Sequence, residues 1–504
     1  MGRIKGIIFS FMTIAVEIIS TFLFTPLLLR TLGQEEYGVY SLVLSTTSYL
    51  ALFDLGVGQS VVRFMSKFIM MKDVNSQKKF LGIVTIHYFI CMLIIVCIGT
   101  VLTLRFPYIF STGLSLKEIN LGQKLIFVSM LTIAITIGTA GYYYTLIAYE
   151  NFTVTKGVFV LVNFFRIILT IGCLLIGMRS LSVICIIFVT TFLFRIYIVL
   201  YVLMKLKLRP TLKNIKISEY KEIIGFSVFI LFQMIATQIN NMADQILLGT
   251  LVESVSVTLA IYAIGSLINQ YMQTLGNSIN GILMPGVVKC VDSKLTCKNL
   301  YVELVKIGRL IFMFVGLIWC VFLVFGEQFI ILWAGKENRT AYIVALVLML
   351  PQVIILTQGV CTQALWAKNK HKKLAVLQII IVCINISLTI ILIKWNALVG
   401  AIIGTFVSLV IGDIFVKQLI LKKELRLDVF KYFKDLFNGI IKSLFCATLF
   451  GKLFSYLHFD GWIGFFINCG TMVVIYVICL INFGVNEEEK SLIQNFRRRI
   501  KCYI

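Results

Sequence analysis

The chain is partitioned by its own hydrophobicity. Along its 504 residues, about fourteen apolar stretches alternate with short polar gaps, each stretch near the roughly 20 residues a helix needs to cross a bilayer. The predicted spans are approximately 5–29, 37–61, 80–104, 125–148, 157–178, 181–204, 223–249, 255–285, 307–332, 341–367, 374–394, 397–421, 438–457 and 461–483. Hydrophobic residues make up 59% of the chain and the mean hydropathy is +0.97, far above a soluble domain. In hydrocarbon, each backbone group must be satisfied within the protein, so such stretches fold as helices. The expected fold class is an all-α integral membrane protein with about 14 transmembrane helices.

The gaps carry a second signal. Counted alternately from Arg3 and Lys5 as inside, they place about 35 of the 46 basic residues inside and about 9 outside. Arg166 and Arg195 are left within spans. This asymmetry predicts both termini in the cytoplasm and reads the net charge of +23 as topology, with no nucleic-acid partner. No gap is long enough for a folded soluble domain, which argues against an enzyme with a large extracytoplasmic catalytic loop. The first stretch is too long for a signal-peptide core and reads as a retained span.

The 13 cysteines contain no C-x-x-C pair, and most lie within spans, as small apolar packing residues. His87, His371 and His458 form no ligand cluster, and there is no G-x-x-x-x-G-K-[ST] phosphate loop. No metal and no cofactor are expected.

Basic segments after the sixth and twelfth spans, Lys205–Lys221 and Lys422–Lys434, suggest a 6 + 6 + 2 layout. The expected domains are an N-terminal six-helix lobe over 1–210, a second six-helix lobe over 211–425, and two additional helices with a basic tail over 426–504. A weak internal repeat supports this. Leu27–Leu32 resembles Ile246–Leu251, and Gly38–Leu42 resembles Ala260–Ile264, as parallel repeats about an axis along the membrane normal would. In the tail, Leu492, Ile493, Phe496 and Ile500 recur at helical spacing beside Arg497, Arg498, Arg499 and Lys501. That pattern suits an amphipathic helix on the anionic inner leaflet.

Charges within spans are the sharpest functional signal, because each costs about 2.5–3.5 kcal/mol at mid-helix on insertion scales. Arg166 lies near the middle of the fifth span and Arg195 in the inner half of the sixth. Two guanidiniums suit an anionic headgroup, since arginine binds phosphate oxygens bidentately. Glu17 lies in a polar stripe with Ser10, Thr13 and Ser20, placed to neutralise Arg166 or to bind a coupling cation or proton. The seventh span carries Gln233, Thr237, Asn240, Asn241 and Asp244. The eighth carries Ser266, Asn269, Gln270, Gln273, Asn277 and Asn280. Such amide-rich faces suit a hydrated cavity that hydrogen-bonds sugar hydroxyls, or contacts between helices. Asp244 falls near the outer end of its span, where it would meet solvent. Asp54 and Arg63 bracket the inner end of the second span around Gly56 and Gly58. The expected substrate-binding set is Arg166, Arg195, Arg63, Gln233, Asn240, Asn241, Asn269, Gln273 and Asn277, and the coupling or charge-balancing set is Glu17, Asp54 and Asp244. Asp413 and Lys417, one turn apart, are expected to form a local ion pair.

The opening Thr25-Pro26-Leu27-Leu28-Leu29-Arg30-Thr31-Leu32-Gly33, with Glu36-Tyr37-Gly38-Val39-Tyr40, Asp54-Leu55-Gly56 and Arg63, resembles the start of Wzx-type polysaccharide flippases. These belong to the multidrug/oligosaccharidyl-lipid/polysaccharide exporter (MOP) superfamily. The resemblance covers two spans in motif detail and the whole chain in layout. It implies two six-helix lobes facing each other in a V, with a central cavity and alternating access. It also implies a non-enzymatic role: carrying undecaprenyl-pyrophosphate-linked oligosaccharide across a bacterial plasma membrane, among membrane lipids, with a polysaccharide polymerase and chain-length machinery as further partners. The rivals are a lipid II flippase, a multidrug/cation antiporter of the same superfamily, and a membrane-embedded polymerase or glycosyltransferase.

Overall fold

The computed structural model describes residues 2–54, 57–151, 153–211, 235–253, 255–292, 297–368, 370–455 and 461–486. Gln233 and the basic tail lie outside these, as do the side chains of Glu17 and Arg63. Among the described residues every regular element is helical. In chain order they are α1 (Gly2–Ser48), α2 (Val57–Met70), α3 (Val74–Ile109), α4 (Leu116–Gly138), α5 (Ala140–Ala148), α6 (Val158–Leu175) and α7 (Ser180–Leu200). Then come α8 (235–251), α9 (Ser256–Asp292), α10 (Cys297–Ala334), α11 (Ala341–Thr357), α12 (Gly359–Ala367) and α13 (His371–Ile393). The last are α14 (Ala397–Leu409), α15 (Lys417–Leu425), α16 (Val429–Phe437), α17 (Ile440–Ser455) and α18 (Gly461–Cys479).

Eight helical segments among the described residues are long and apolar enough to cross a membrane: Val74–Ile109, Leu116–Gly138, Thr153–Leu175, Ser180–Lys205, Leu300–Ala334, Lys372–Ile393, Ala397–Leu425 and Gly461–Gly484. Two bent pairs raise the number to ten: α11 with Gly359–Trp366, bent by 47°, and α16 with α17, bent by 46°. The chain is a multi-pass membrane protein. The four predicted spans not in this set are 5–29, 37–61, 223–249 and 255–285. Part of 223–249 lies outside the described residues.

Local chemistry sets the helix ends. The first two predicted spans run together in α1, interrupted at Gly33, whose φ of +80° is a conformation L side chains avoid. Asp73 caps α3 by accepting from Ser76 N at 3.0 Å and Ser76 Oγ at 2.6 Å. These donors hold its carboxyl below the usual carboxylate range. Ser115 and Glu118 form a reciprocal capping box on α4.

The chain forms two compact units, Met1–Ala263 with Gln378–Thr405, and Ile264–Leu377 with Phe406–Ile504. In the first, α3 packs on α4, α4 on α7, α2 on α5, and α6 on both α1 and α7. Its core includes Val61, Met65, Leu81, Tyr88, Leu146 and Ile198.

In the second unit α10 is the central element, packed on α11, α16, α17 and α18. Its Arg309, 1% exposed, donates from Nη1 to the carbonyls of Asp435 (2.9 Å), Leu436 (3.4 Å) and Asn438 (3.0 Å), and from Nη2 to Gly484 O (2.5 Å). These are carbonyls left open where α16 and the final helical segment end, the negative poles of those helices. Asp413 and Lys417 do pair, at 3.7 Å, with both side chains buried.

Candidate functional site

The fifth and sixth predicted spans bring the two arginines onto adjacent helices of the first unit. Arg166, on α6, donates from Nε to Thr190 Oγ1 (2.9 Å) and from Nη2 to Thr191 Oγ1 (3.0 Å), both on α7. Its Nη1 donates to Asn163 Oδ1 at 3.3 Å. Among the described residues all its hydrogen-bond partners are neutral. Thr191 and Arg195 are four residues apart on α7, hence on one face and one turn apart. The pairing of Arg166 with Glu17 falls outside the described residues.

Arg195 lies over the Tyr143 ring, 5.1 Å from its centroid, a cation–π contact. Its Nε and Nη1 are buried with no hydrogen-bond partner among the described residues. An unmet buried donor costs about 1–3 kcal/mol, more when charged, so this guanidinium has binding capacity in reserve. Tyr144, the next residue on α5, donates to Asp54 Oδ2 at 3.4 Å, and Tyr88 donates to Asp54 Oδ1 at 2.9 Å. Asp54 therefore belongs to the arginine's surroundings, held by two phenols from α3 and α5.

Asp244, on α8, is only 1% exposed, so it does not meet solvent as expected from the sequence. The helix carries it into contact with α9, α13 and α14. Tyr262 and Thr405 both donate to its Oδ2, and Thr389 to its Oδ1 at 3.4 Å. Thr389 also donates to Asn385 Oδ1 at 3.0 Å. Asn385 Nδ2 donates to Asn240 Oδ1 at 2.9 Å and to Thr405 Oγ1 at 3.3 Å. The result is a carboxylate ringed by hydroxyl and amide oxygens, a donor set suited to a proton or a hard monovalent cation. Asn240 belongs to this centre.

A third group joins the second half of α1 to α8. Ser41 Oγ (2.8 Å) and Ser45 Oγ (2.5 Å) both donate to Gln245 Oε1, and Gln238 Nε2 donates to Ser48 Oγ at 2.6 Å. Beyond them Gly38 lies against the Ser256 carbonyl so closely that a Cβ would collide with it. Val255 N donates to Gly113 O at 3.0 Å. These contacts link the two copies of the repeat read in the sequence.

The other predicted amides are not gathered here. Asn241 is exposed. Asn269, Gln273 and Asn277 belong to the second unit; Asn269 Oδ1 is buried without a partner among the described residues, and Asn277 is exposed. Gln233 and the Arg63 side chain lie outside the described part. Sequence reasoning missed Asn385, Thr389 and Thr405, which are ordinary polar residues in apolar helices until Asp244 is seen against them. The Asn385-x-x-x-Thr389 spacing, one turn on one face, was the available signal.

The fold is that of MOP-superfamily transporters. It matches the solved structure described as "Lipid II flippase MurJ, inward closed conformation" with a TM-score of 0.70 at 17% identity, over 94% of this chain and 98% of that one. A MOP superfamily transporter from Pyrococcus furiosus matches with a TM-score of 0.58 at 14% identity, over 84% and 96%. An inward-facing multidrug resistance MATE family transporter matches with a TM-score of 0.57 at 15% identity, over 80% and 98%. The chain belongs to the polysaccharide biosynthesis protein family, whose model matches residues 4–289. No curated protein matches it in sequence.

Proposed function

We propose that the chain is a Wzx-type flippase. Its substrate is undecaprenyl-pyrophosphate-linked oligosaccharide, moved from the cytoplasmic to the outer leaflet of a bacterial plasma membrane for surface polysaccharide synthesis. Both termini lie in the cytoplasm, and the working parts are the six-helix lobes 1–210 and 211–425, with 426–504 as an addition. A polymerase and chain-length machinery consume the product.

The observation that carries this reading is the arginine pair. Among the described residues, Arg166 is held by neutral groups and Arg195 has two buried nitrogens with no hydrogen-bond partner, both within apolar segments. Such charges persist in a membrane when an anion meets them. A pyrophosphate supplies that anion, and arginine's fork matches its oxygens. The exposed Asn241 of α8 supplies hydrogen bonds for sugar hydroxyls, while the prenyl chain stays in lipid. Moving the headgroup through hydrocarbon is the barrier removed.

The Asp244 centre is the candidate coupling element, with Asp54 and Glu17 as charge-balancing groups. A carboxylate surrounded by Tyr262, Thr389 and Thr405 changes its hydrogen bonding whenever it gains a proton or cation. Its helix, α8, also carries Gln238 and Gln245. Alternating access requires the serine–glutamine contacts with α1 to break and re-form, which ties the centre to that step.

The fold likeness to a lipid II flippase favours a second reading, with the same pyrophosphate chemistry and a different sugar. Reconstitution tests both. Proteoliposomes holding the full chain should move an undecaprenyl-pyrophosphate-linked oligosaccharide between leaflets and leave lipid II in place. Transport of lipid II alone would establish the rival, and transport of cationic drugs with neither lipid would overturn both.

A further inference from the structure

Helix α16 and its flanks are strongly two-sided. Tyr432 and Leu436, one turn apart, are buried, and Phe433 and Phe437 stack on each other and reach Phe312 of α10. Arg309 holds the carbonyls at the helix's C-terminal end. Turned away from Tyr432 and Leu436, Phe430 is 91% exposed, more than any other large apolar side chain among the described residues. Lys431 and Lys434 are exposed beside it, Lys434 one turn on from Phe430.

The charges of this region are sorted by direction. Its three acids are engaged locally. Glu424 pairs with Lys370 at 3.1 Å and with Lys373. Asp428 caps α16 through Lys431 N at 3.1 Å, and Asp435 accepts from Tyr301 Oη at 2.7 Å. Lys422, Lys423, Arg426, Lys431, Lys434 and Lys442 are all exposed, and among the described residues none has a carboxylate partner. Among the described residues Lys431 lies over the Tyr301 ring, at 5.7 Å. Locally engaged acids and exposed bases leave a cationic edge around one apolar wedge.

We propose that α16 with its flanking basic residues is a docking surface for anionic phospholipid headgroups of the cytoplasmic leaflet, with Phe430 inserted among the acyl chains. This rests on the orientation proposed above. Charge complementarity selects the occupant, because a lysine or arginine near an anionic leaflet strengthens binding by roughly fivefold. A 46° bend between α16 and α17 sets this helix oblique to the span that follows it. An aromatic side chain with flanking lysines suits the membrane–water boundary.

The test uses the full chain in nanodiscs of phosphatidylcholine with phosphatidylglycerol. A p-benzoylphenylalanine at position 430 should crosslink to phospholipid, with phosphatidylglycerol enriched over phosphatidylcholine. The combined Lys431→Gln, Lys434→Gln and Lys442→Gln variant should lower that enrichment at least about fivefold. Crosslinks to protein alone, or equal capture of both lipids, would overturn the proposal. So would capture of undecaprenyl pyrophosphate without phosphatidylglycerol, which would mark a substrate entry site. If the triple variant fails to fold, the crosslink pattern of the chain with its lysines intact decides. Impermeant labelling of a cysteine at position 431 from the outside would refute the orientation, while the crosslinks still judge the surface.

Discussion

Glu36 lays its carboxylate across the start of α7, accepting from Ser180 N at 3.0 Å and from Ser180 Oγ at 2.6 Å. Arg179 adds an ion pair at 3.0 Å. A carboxylate at a helix N-terminus meets open N–H groups and the positive pole of the helix. The helix so capped carries Thr190, Thr191 and Arg195, so a residue of α1 anchors the arginine site from a distance along the chain.

Replacing Glu36 with alanine should therefore destabilise the protein by about 1.5–3 kcal/mol, the range for hydrogen bonds to a charged group. Arg179→Ala should cost less than about 1 kcal/mol, because that side chain is 71% exposed and solvent screens the pair. Thermal unfolding in detergent measures both. Equal losses would mean that the ion pair, and not the cap, supplies the stability.

Arg166→Ala should abolish transport while the protein still accumulates in the membrane. Arg166→Lys should rescue it partly, because an ammonium keeps the charge and loses the fork. The double change Glu17→Gln with Arg166→Gln distinguishes roles. If the arginine carries phosphate, the double variant stays inactive; if it only balances Glu17, activity returns. Surface polysaccharide in a complementation strain reads the result.

Asp244→Asn should leave a folded protein, because an amide fills the same space and still accepts from Thr389, Thr405 or Tyr262. It should uncouple transport from an imposed proton or sodium gradient. Thr405→Val, which removes one hydroxyl and leaves the carboxylate, should shift the gradient dependence without abolishing it. Flipping assays in proteoliposomes with and without each gradient test this. An Asp244→Asn variant with unchanged gradient response would remove the centre from the coupling role.

Arg309→Ala should be among the most damaging single changes, since it strips the partners from carbonyls at two helix ends. A loss of several kcal/mol is expected from about 1.5–3 kcal/mol per charged hydrogen bond, with no simple additivity. Arg309→Lys should recover little, because one ammonium cannot span Asp435 and Gly484 together. Protease resistance of α16–α18 in detergent follows the effect; a stable Arg309→Lys variant would show that charge alone suffices.

The same residues show what was readable in advance. Span positions were legible because burial in lipid writes itself as runs of apolar residues, and ten of the runs reappear as membrane-length helices or bent pairs. Arg166, Arg195, Asp54 and Asp244 stood out because a charge in an apolar run is costly wherever its partners are. The family motif was visible as letters, while its physical content was not. Gly33 makes a turn at positive φ, Gly38 admits a neighbouring carbonyl, Glu36 caps α7, and Asp54 receives two tyrosines. Arg309 carried no signal in the sequence, because its partners are backbone carbonyls more than 120 residues away.

Sequence by itself determined the membrane class, the helical content and which side chains were too expensive to be idle, because these follow from local transfer free energies. Only the tertiary structure decided partners. It made Asp244 a buried centre with Asn385, Thr389 and Thr405, gave Arg166 neutral hydroxyls, left Arg195 with donors unmet among the described residues, and engaged the acids around α16 locally. Hydrogen bonds join groups whose separation along the chain carries no periodicity, so packing alone chooses them.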